Sequence, residues 1–479
     1  MCGIVGMAGQ GPVNQEIYDA LLLLQHRGQD STGMATAESS GVFHIHKARG
    51  QVREAFRTRD MRALLGDIGL GHVRYATKGT ASSEEEAQPF YVNAPYGIVL
   101  VHNGNLTNTR ELTSELFHKD RRHLNTSSDT ELLVNILGSE LQSEISGPDL
   151  DPAQVFRAVA RVHERVEGSY ATIALIAGYG LLAFRDPFGI RPLILGKRPA
   201  GGDDGREEWV VASESLVLEN AGFEIVRDVE PGEAVFITLD GTLHAQQCAQ
   251  NPTLAPCSFE YVYLARPDSV MNGISVYEAR LRMGERLADS IDVVMPIPDS
   301  SRPAAMQVAR KLGIEYREGF YKNRYVGRTF IMPGQAIRKK SVRQKLNAMS
   351  TEFQGKNVLL IDDSIVRGTT SREIIQMARD AGAKSVTFAS AAPPVRYPHV
   401  YGINMPSRQE LVAHGRTIPQ IAEELGCDYL VYQEVDDLKA AIMEGTDLVD
   451  LDMSCFDGRY VTGTVSDEYL AWVEGSQES

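Results

Sequence analysis

Cys2 is the residue whose type and position point most directly to chemistry. It follows Met1 in Met-Cys-Gly-Ile-Val-Gly, and removal of Met1 would leave a thiol and a free α-amine on one residue. An α-amine titrates near pH ~7.7 to 8.0 and a thiol near ~8.5, so the amine can take the thiol proton without a histidine. The position alone fits an ordinary small residue at the start of a strand equally well. The rest of the chain must decide between nucleophile and strand residue.

A second group of functional candidates is a predicted ligand-binding motif that follows an apolar run at residues 358–361. Two acids end the run, and a loop of small residues then leads into a capped helix, although a plain strand, turn and helix would share this pattern. Ligands of open α/β sheets bind beyond the carboxyl ends of the strands, where free N–H groups at a helix N-terminus attract phosphate. The acids suit ribose hydroxyls or a hard cation such as Mg²⁺. The predicted ligands are Asp362, Asp363, Ser364, Arg367, Gly368, Thr369 and Thr370.

Two further segments favour a highly anionic ligand. The turn at residues 296–302 also follows an apolar run, and its Ser300 is a third candidate metal ligand unless the turn is purely structural. Between residues 317 and 345 stand nine Lys or Arg, including Lys322 and Arg328, against one acid. Within this segment, the glycine-punctuated stretch 322–334 is typical of a lid that orders over an anionic substrate, and a solvated loop is the alternative.

The first half of the chain offers partners for Cys2. Separately, an Asn-Gly pair fits a hairpin turn, Arg74 fits a surface ion pair, and Asp129 fits a helix N-terminus. Together they predict a glutamine pocket. The side-chain N–H of Asn103 and the backbone N–H of Gly104 would form an oxyanion hole, Arg74 would pair with the substrate carboxylate, and Asp129 with its ammonium.

The composition indicates a soluble cytoplasmic protein. Hydrophobic residues make up 43% of the 479 residues and charged ones 23%, and no apolar stretch is long enough to span a bilayer. No signal peptide is expected. The five cysteines are widely spaced and never form Cys-x-x-Cys, which argues against disulfides and structural zinc. A net charge of -15 opposes binding to nucleic acid.

The elements that must position these residues differ between two halves. Residues 2–250 read as short antiparallel strands in layers with flanking helices, one after Asn14 and one capped by a Ser128-x-x-Glu131 box. Residues 258–479 read as a doubly wound α/β domain, with a helix capped by Thr370-x-x-Glu373. Residues 246–257 are the expected linker. Buried parallel strands are predicted at 293–297, 358–361, 386–389 and 429–432.

Several of these stretches resemble known families. Residues 1–6, 25–31, 102–104 and 186–193 resemble the class II, N-terminal-nucleophile glutamine amidotransferases, which implies an αββα sandwich and adds Arg27, Tyr75 and Thr77 to the pocket. Residues 358–370 resemble the phosphoribosyl pyrophosphate (PRPP) motif of the type I phosphoribosyltransferases, an α/β fold with a parallel sheet. These resemblances favour a nucleophilic role for Cys2 over that of an ordinary residue at the start of a strand.

The combination is similar to the glutamine PRPP amidotransferase family. The resemblance implies that ammonia released at Cys2 attacks C1 of PRPP, giving 5-phosphoribosylamine in the first committed step of purine biosynthesis. It further implies Mg²⁺, feedback by AMP and GMP, a dimer or tetramer, and an apolar passage for ammonia, with Tyr325 and Ile331 as wall candidates. The alternatives are a PRPP or nucleotide sensor with a non-catalytic amidotransferase half, and a transferase that uses only free ammonia.

One departure from the family concerns a metal cluster. A subgroup carries a cleaved propeptide and a four-cysteine [4Fe-4S] cluster. Cys257 and Cys455 stand at positions that resemble two of the ligands, whereas His399 and Asp452 stand where the other two would be. Two thiolates cannot hold the cluster in the usual four-cysteine way. We therefore expect neither iron–sulfur cluster nor propeptide.

Overall fold

The computed structural model describes residues 2–75, 85–147, 149–199, 206–284, 291–322, 346–403, 405 and 407–477. In the first half, two antiparallel sheets lie face to face. The first has the order β11-β9-β10-β1-β4-β2-β3 and the second β13-β12-β8-β7-β6-β5. The strands are β1 Gly3–Ala8, β2 Ser31–Ala37, β3 Phe43–Arg49, β4 Ile68–Arg74, β5 Phe90–Val92, β6 Ile98–Leu106, β7 Gly168–Ile176, β8 Gly180–Arg185, β9 Ile194–Arg198, β10 Glu208–Ala212, β11 Glu224–Asp228, β12 Glu233–Thr238 and β13 Leu243–Gln247.

Helices cover the outer faces of both sheets. Helices α1 and α7 pack on the first sheet, and α5 and α6 pack on the second. An apolar layer that includes Ile4, Leu70, Val99 and Ile173 lies between the sheets. The predicted αββα sandwich is thus confirmed. The helices are α1 Asn14–Leu23, α2 Val52–Ala55, α3 Thr58–Ala63, α4 Thr109–Glu115, α5 Asp129–Glu144, α6 Pro152–Arg165 and α7 Ser215–Asn220, with a 3₁₀ turn at Gln25–Arg27 and a π turn at Leu116–Asp120.

The second half is built on a five-stranded parallel sheet of order β17-β16-β20-β21-β22. Its strands confirm the predicted α/β architecture. The strands are β14 Val270–Met271, β15 Ile274–Ser275, β16 Val293–Pro296, β17 Glu315–Tyr316, β18 Phe320–Lys322, β19 Leu346–Ala348, β20 Asn357–Asp362, β21 Ser385–Ser390 and β22 Tyr429–Tyr432. The helices are α8 Val276–Gly284, α9 Arg302–Leu312, α10 Ser350–Phe353, α11 Thr369–Asp380, α12 Ile418–Leu425, α13 Val435–Met443, α14 Ser454–Asp457 and α15 Asp467–Gln477, with a π turn at Glu260–Leu264 and a 3₁₀ turn at Arg408–Glu410.

Three local predictions were wrong in detail. Strand β22 was expected to be buried, but it is the last strand of the sheet and Tyr429 is 70% exposed. Helix α11 begins at Thr369 with Gly368 as its N-cap, so Thr370 forms no capping box. Ser128 does cap α5, but the carboxylate of Glu131 accepts from the backbone N–H groups of residues 125 and 126 instead of returning to the cap.

The connecting segment is held against the first half over its last residues. Backbone N–H groups of Thr253, Ala255 and Cys257 donate to carbonyls of residues 187, 188 and 190, respectively. One apolar cluster contains residues of both halves, among them Val5 and Tyr401. Among the described residues, no helix has the length and apolar character that crossing a bilayer requires.

Replacing Ile173 tests the layer between the two sheets. Its side chain is fully buried there, so Ile173→Ala should lower the free energy of unfolding by about 3 kcal/mol through lost burial and a residual cavity. Urea denaturation followed by circular dichroism measures the loss. Val226→Ala, at a position 41% exposed, should change stability by much less. Equal losses for both variants would contradict the proposed packing.

Candidate active sites

Cys2 precedes the central strand β1 of the first sheet. Strand β1 pairs antiparallel with β4, with Gly3 opposite Val73, so Cys2 lies beside the end of β4 where Arg74 and Tyr75 stand. The Cys2 thiol is buried and donates to the Tyr75 carbonyl at 3.8 Å. The sheet register thus brings together three residues that the sequence predicted for one pocket. Thr77, also predicted for this pocket, lies outside the described residues.

The predicted oxyanion donors lie on β6 of the facing sheet, which packs on β1. Asn103 is 1% exposed, and its Nδ2 has no hydrogen-bond partner among the described residues. A buried donor without a partner costs free energy, so this amide N–H is a candidate to bond a ligand. Gly104 has φ +155°, and a Cβ there would lie 2.0 Å from the Ser169 carbonyl oxygen. Only glycine fits this bend beside Asn103.

Two charged residues flank this strand. The Arg74 guanidinium pairs with the Glu86 carboxylate at 2.9 Å, and Ser127 Oγ donates to the same carboxylate at 2.9 Å. Asp129, at the start of α5, accepts from the Leu106 N–H on β6 at 3.2 Å. Both charges are therefore held close to the ends of β4 and β6. The contact between Glu86 and Arg74 was not predicted, because nothing in the acidic run Glu84-Glu85-Glu86 indicates which of its residues pairs with an arginine.

Arg27 is fully buried and its guanidinium contacts two carboxylates. It donates to Glu214 and, at 2.8 Å, to Glu260, which raises the pKa of the guanidinium although burial opposes this. Burial likewise raises the pKa of Glu214, but Arg27 and His26 outweigh it and hold that pKa well below its usual range. The Arg27 stem lies beside Gly3, 3.3 Å from where a Cβ would stand. Glu214 and Glu260 were missed by the sequence as parts of this arrangement.

The second candidate site lies at the carboxyl ends of neighbouring strands β16 and β20. Ser300, from the loop after β16, donates to Asp363, and Ser364 Oγ donates to Asp363 at 2.7 Å. Burial and the adjacent Asp363 charge raise the pKa of Asp362 well above its usual value, and burial raises that of Asp363. The predicted metal ligands Ser300, Asp362 and Asp363 thus lie close together. The neighbouring positive charges do not offset the cost of burying the two carboxylates.

The loop after these acids leads into α11 as expected. Gly368 adopts a left-handed conformation with φ +73°, where a Cβ would also lie 2.8 Å from Leu425. Thr369 and Thr370 form the first turn of α11, and Arg367 pairs with Glu410 at 3.3 Å. The first-turn N–H groups of α11, which have no acceptor within the helix itself, therefore adjoin the loop that carries the two acids.

Lys322 is the described part of the predicted basic lid. Its Nζ pairs with Asp299 Oδ2 at 2.5 Å, and Arg302 pairs with the other oxygen at 2.5 Å. Burial raises the pKa of Asp299, but Lys322 and Arg302 together lower it below its usual value. Arg328, Tyr325 and Ile331 lie outside the described residues.

A third cluster joins residues that the family resemblance singled out. Ligand atoms of Cys257, His399 and Asp452 all lie within 4.8 Å of one another, and all three residues are buried. Burial raises the pKa of the Cys257 thiol to about 12, and that of the buried Cys455 thiol rises well above its usual value. With Cys455 nearby, this mixed donor set offers two sulfur ligands beside an imidazole and a carboxylate, whereas the usual cluster is held by four thiolates.

Comparisons with known proteins match both halves. A glutamine amidotransferase domain family matches residues 72–220, and a phosphoribosyl transferase domain family matches residues 272–401. Amidophosphoribosyltransferases of Pasteurella multocida and Escherichia coli K12 are 56% and 54% identical, over 98% and 99% of this chain and 94% and 95% of theirs. The solved glutamine PRPP amidotransferase from B. subtilis, complexed with ADP and GMP, is similar with a TM-score of 0.85 at 36% identity, covering 97% of this chain and 98% of that one.

The raised pKa of Asp362 predicts a stability that depends on pH. A carboxyl whose pKa rises on folding destabilises the fold at higher pH, so Asp362→Asn should raise the free energy of unfolding near pH 7.5 by about 1 kcal/mol. The gain should vanish as the pH falls below the usual carboxyl pKa. Urea denaturation across this pH range measures it.

Asp299→Asn is the matched control with the opposite sign. Because its partners lower the pKa of Asp299, removing this charge should destabilise the protein at neutral pH, and the difference should disappear in acid. If both variants shifted stability in the same direction at pH 7.5, the assigned electrostatics would be wrong.

Proposed function

The chain belongs to the amidophosphoribosyltransferase family, and from that premise we propose how its residues divide the reaction. The enzyme releases ammonia from glutamine and transfers it to C1 of PRPP, giving 5-phosphoribosylamine, glutamate and pyrophosphate in the first committed step of purine biosynthesis. The observation that best supports the assignment is the buried, unpartnered Nδ2 of Asn103 on the sheet that faces Cys2.

In the glutamine half, Cys2 is the nucleophile once Met1 is removed. Its α-amine takes the thiol proton, and the thiolate forms a C–S bond to the glutamine carboxamide while Asn103 Nδ2 and the Gly104 N–H hold the oxyanion. The C–N bond then breaks as the amine returns its proton to the leaving ammonia. Water hydrolyses the thioester to glutamate.

Charged residues would hold glutamine in place for this attack. The α-carboxylate takes the place of Glu86 on Arg74, and the α-ammonium pairs with Asp129 at the start of α5. Tyr75 and Thr77 complete the pocket after Arg74. The guanidinium of Arg27 already contacts two carboxylates. Arg27 would therefore contribute to glutamine binding through the aliphatic part of its side chain, which lies beside Gly3.

In the PRPP half, the loop from β20 to α11 would bind the sugar and its 5-phosphate. Asp362 and Asp363 bind the ribose hydroxyls. The phosphate accepts hydrogen bonds from backbone N–H groups and polar side chains of the loop and the first turn of α11. The residues that bind it are Ser364, Arg367, Gly368, Thr369 and Thr370. Lys322 and Arg328 neutralise the pyrophosphate that leaves as ammonia attacks C1.

The donor set of Ser300, Asp362 and Asp363 suits Mg²⁺. These are hard oxygen ligands, and the raised pKa of both carboxyls indicates that positive charge is lacking there. When bound, Mg²⁺ would supply charge that stabilises the departing pyrophosphate. The three side chains converge because β16 and β20 are neighbours in the sheet.

Further proposals concern organisation and regulation. We assign residues 2–250 to the glutaminase domain and 258–479 to the phosphoribosyltransferase domain with its C-terminal extension. Because the similar B. subtilis structure is complexed with ADP and GMP, we propose purine nucleotides such as AMP and GMP as inhibitors of this chain. A homo-oligomeric, cytoplasmic enzyme is part of the same proposal.

Replacing Cys2 separates the two half-reactions. Cys2→Ser should abolish synthesis of phosphoribosylamine from glutamine but retain synthesis from ammonium salts, because the PRPP site is untouched. Cys248→Ser is the matched control, since both cysteines are 8% exposed, and should retain both activities. Loss of ammonia-dependent synthesis in Cys2→Ser, or survival of the glutamine-dependent reaction, would contradict the assigned role.

Glutamate release distinguishes the enzyme from a nucleotide sensor. We expect release to rise when PRPP and Mg²⁺ are added together, and to require an N-terminus without Met1, which mass spectrometry of the intact protein measures. A sensor with a non-catalytic first half would bind PRPP without releasing glutamate. That outcome would overturn the residue assignments above.

A further inference from the structure

A loop of the second half lies against the strand that carries the proposed oxyanion donors. This loop, residues 399–402, turns two backbone carbonyls toward the first half. The Val400 carbonyl accepts from Asn105 Nδ2 at 2.8 Å, and the Tyr401 carbonyl accepts from Ser169 Oγ at 3.0 Å. Asn105 and Ser169 are opposite one another in the β6–β7 pair, next to Gly104. The 399–402 loop therefore bonds to both strands beside the oxyanion position.

The same loop contacts Gly104 itself. Gly402 has φ +97°, and a Cβ there would lie 2.8 Å from the Gly104 carbonyl oxygen and 2.9 Å from its carbonyl carbon. The two backbones thus pack without any side chain between them. Arg191 adds a further tie, because its buried guanidinium donates to the Tyr401 carbonyl with Nε at 2.8 Å.

His399 anchors the loop through a fixed tautomer. The Tyr401 N–H donates to His399 Nδ1 at 3.2 Å, so Nδ1 is an acceptor and the proton resides on Nε2. That proton points to Asp452 Oδ2 at 2.9 Å, with Cys257 Sγ 3.5 Å from the same nitrogen. The anchor joins three distant parts of the chain at the start of the 399–402 loop.

This arrangement opposes metal binding at the cluster. If Nε2 bound a metal, the imidazole proton would move to Nδ1. The Nδ1–H and the Tyr401 N–H would then both be donors, and the hydrogen bond between them would be lost. Asp452 is also occupied, since its Oδ1 accepts from the Ser454 N–H at 3.1 Å. The cluster of Cys257, His399 and Asp452 is therefore built as a hydrogen-bonded anchor.

We infer that the 399–402 loop is a positioning element for the oxyanion hole and that His399 is a positioning residue for glutamine hydrolysis. The loop fixes the β6–β7 pair at Asn105 and Ser169 and sets the backbone of Gly104 through Gly402. Donors of an oxyanion hole act only when held at the developing charge, so small displacements reduce the rate of the chemical step. The inference rests on the proposed roles of Asn103 and Gly104.

Gly402→Ala tests the contact directly. The added methyl must displace Gly104, so kcat for glutamine hydrolysis should fall between about 10-fold and 1,000-fold. KM for glutamine should stay constant, because Arg74 and Asp129 are untouched, and ammonia-dependent synthesis should persist. Gly445→Ala is the matched control, since φ is also positive there but nothing lies within 4 Å of the new methyl. It should leave all three quantities unchanged.

Asn103→Ala separates failure of this inference from failure of the proposed function. Unchanged glutamine hydrolysis in Asn103→Ala would overturn the oxyanion assignment and the inference with it. A fall in Asn103→Ala with an unchanged kcat in Gly402→Ala would overturn the inference alone. Parallel loss of the glutamine and ammonia reactions in Gly402→Ala would also overturn it, because that pattern indicates general misfolding.

A pair of His399 variants tests the anchor. An asparagine can accept from the N–H two residues onward, as Nδ1 does from Tyr401, whereas leucine cannot. His399→Leu should lower the ratio of glutamine- to ammonia-dependent synthesis, and His399→Asn should restore much of it. Equal ratios in both variants, or stoichiometric metal in the purified wild-type protein by elemental analysis, would overturn the anchor.

Discussion

The structure depends on a buried cluster of charges in which one carboxylate of the second half pairs with two arginines of the first. Arg27 and Arg191, both fully buried in the first half, donate to the same carboxylate, Glu260, in the π turn that opens the second half. A buried charge without a partner is very costly, and loss of Glu260 would remove the carboxylate that pairs with Arg191 and one of the two that pair with Arg27. Glu214 supplies the second negative charge beside Arg27. Cys2 therefore precedes a strand of a sheet whose local charge balance includes a carboxylate from the other half of the chain.

Carboxylates of this protein fall into two electrostatic classes. Glu214 is compensated within the fold by Arg27, which outweighs the cost of burial and holds its pKa low. Asp362 and Asp363 are left undercompensated, so their pKa values are raised. The first pattern stabilises the folded chain, whereas the second lowers its stability at neutral pH.

Local sequence could predict much of the fold and the motif residues. Cys2, Asn103 and Asp362 stand in short patterns whose chemistry is readable, and the two sheets follow from strand and turn signals. Glu260 and Glu214 were beyond reach, because their partner Arg27 lies 233 and 187 positions away. Burial of Tyr429–Tyr432 was mispredicted since composition does not show which strand ends a sheet. Properties fixed by long-range pairing are those that sequence patterns cannot supply.

The contact between Gly402 and Gly104 limits how such chains can recombine. Two catalytic units joined in one polypeptide look like modules that could be exchanged with those of other fused enzymes. Here, backbone meets backbone across the junction, with no side chain that could adjust to a different partner. A chimaera would need both glycines and the carbonyls of Val400 and Tyr401 in register. Exchange of either unit alone would therefore place a mismatch directly against Gly104 on β6.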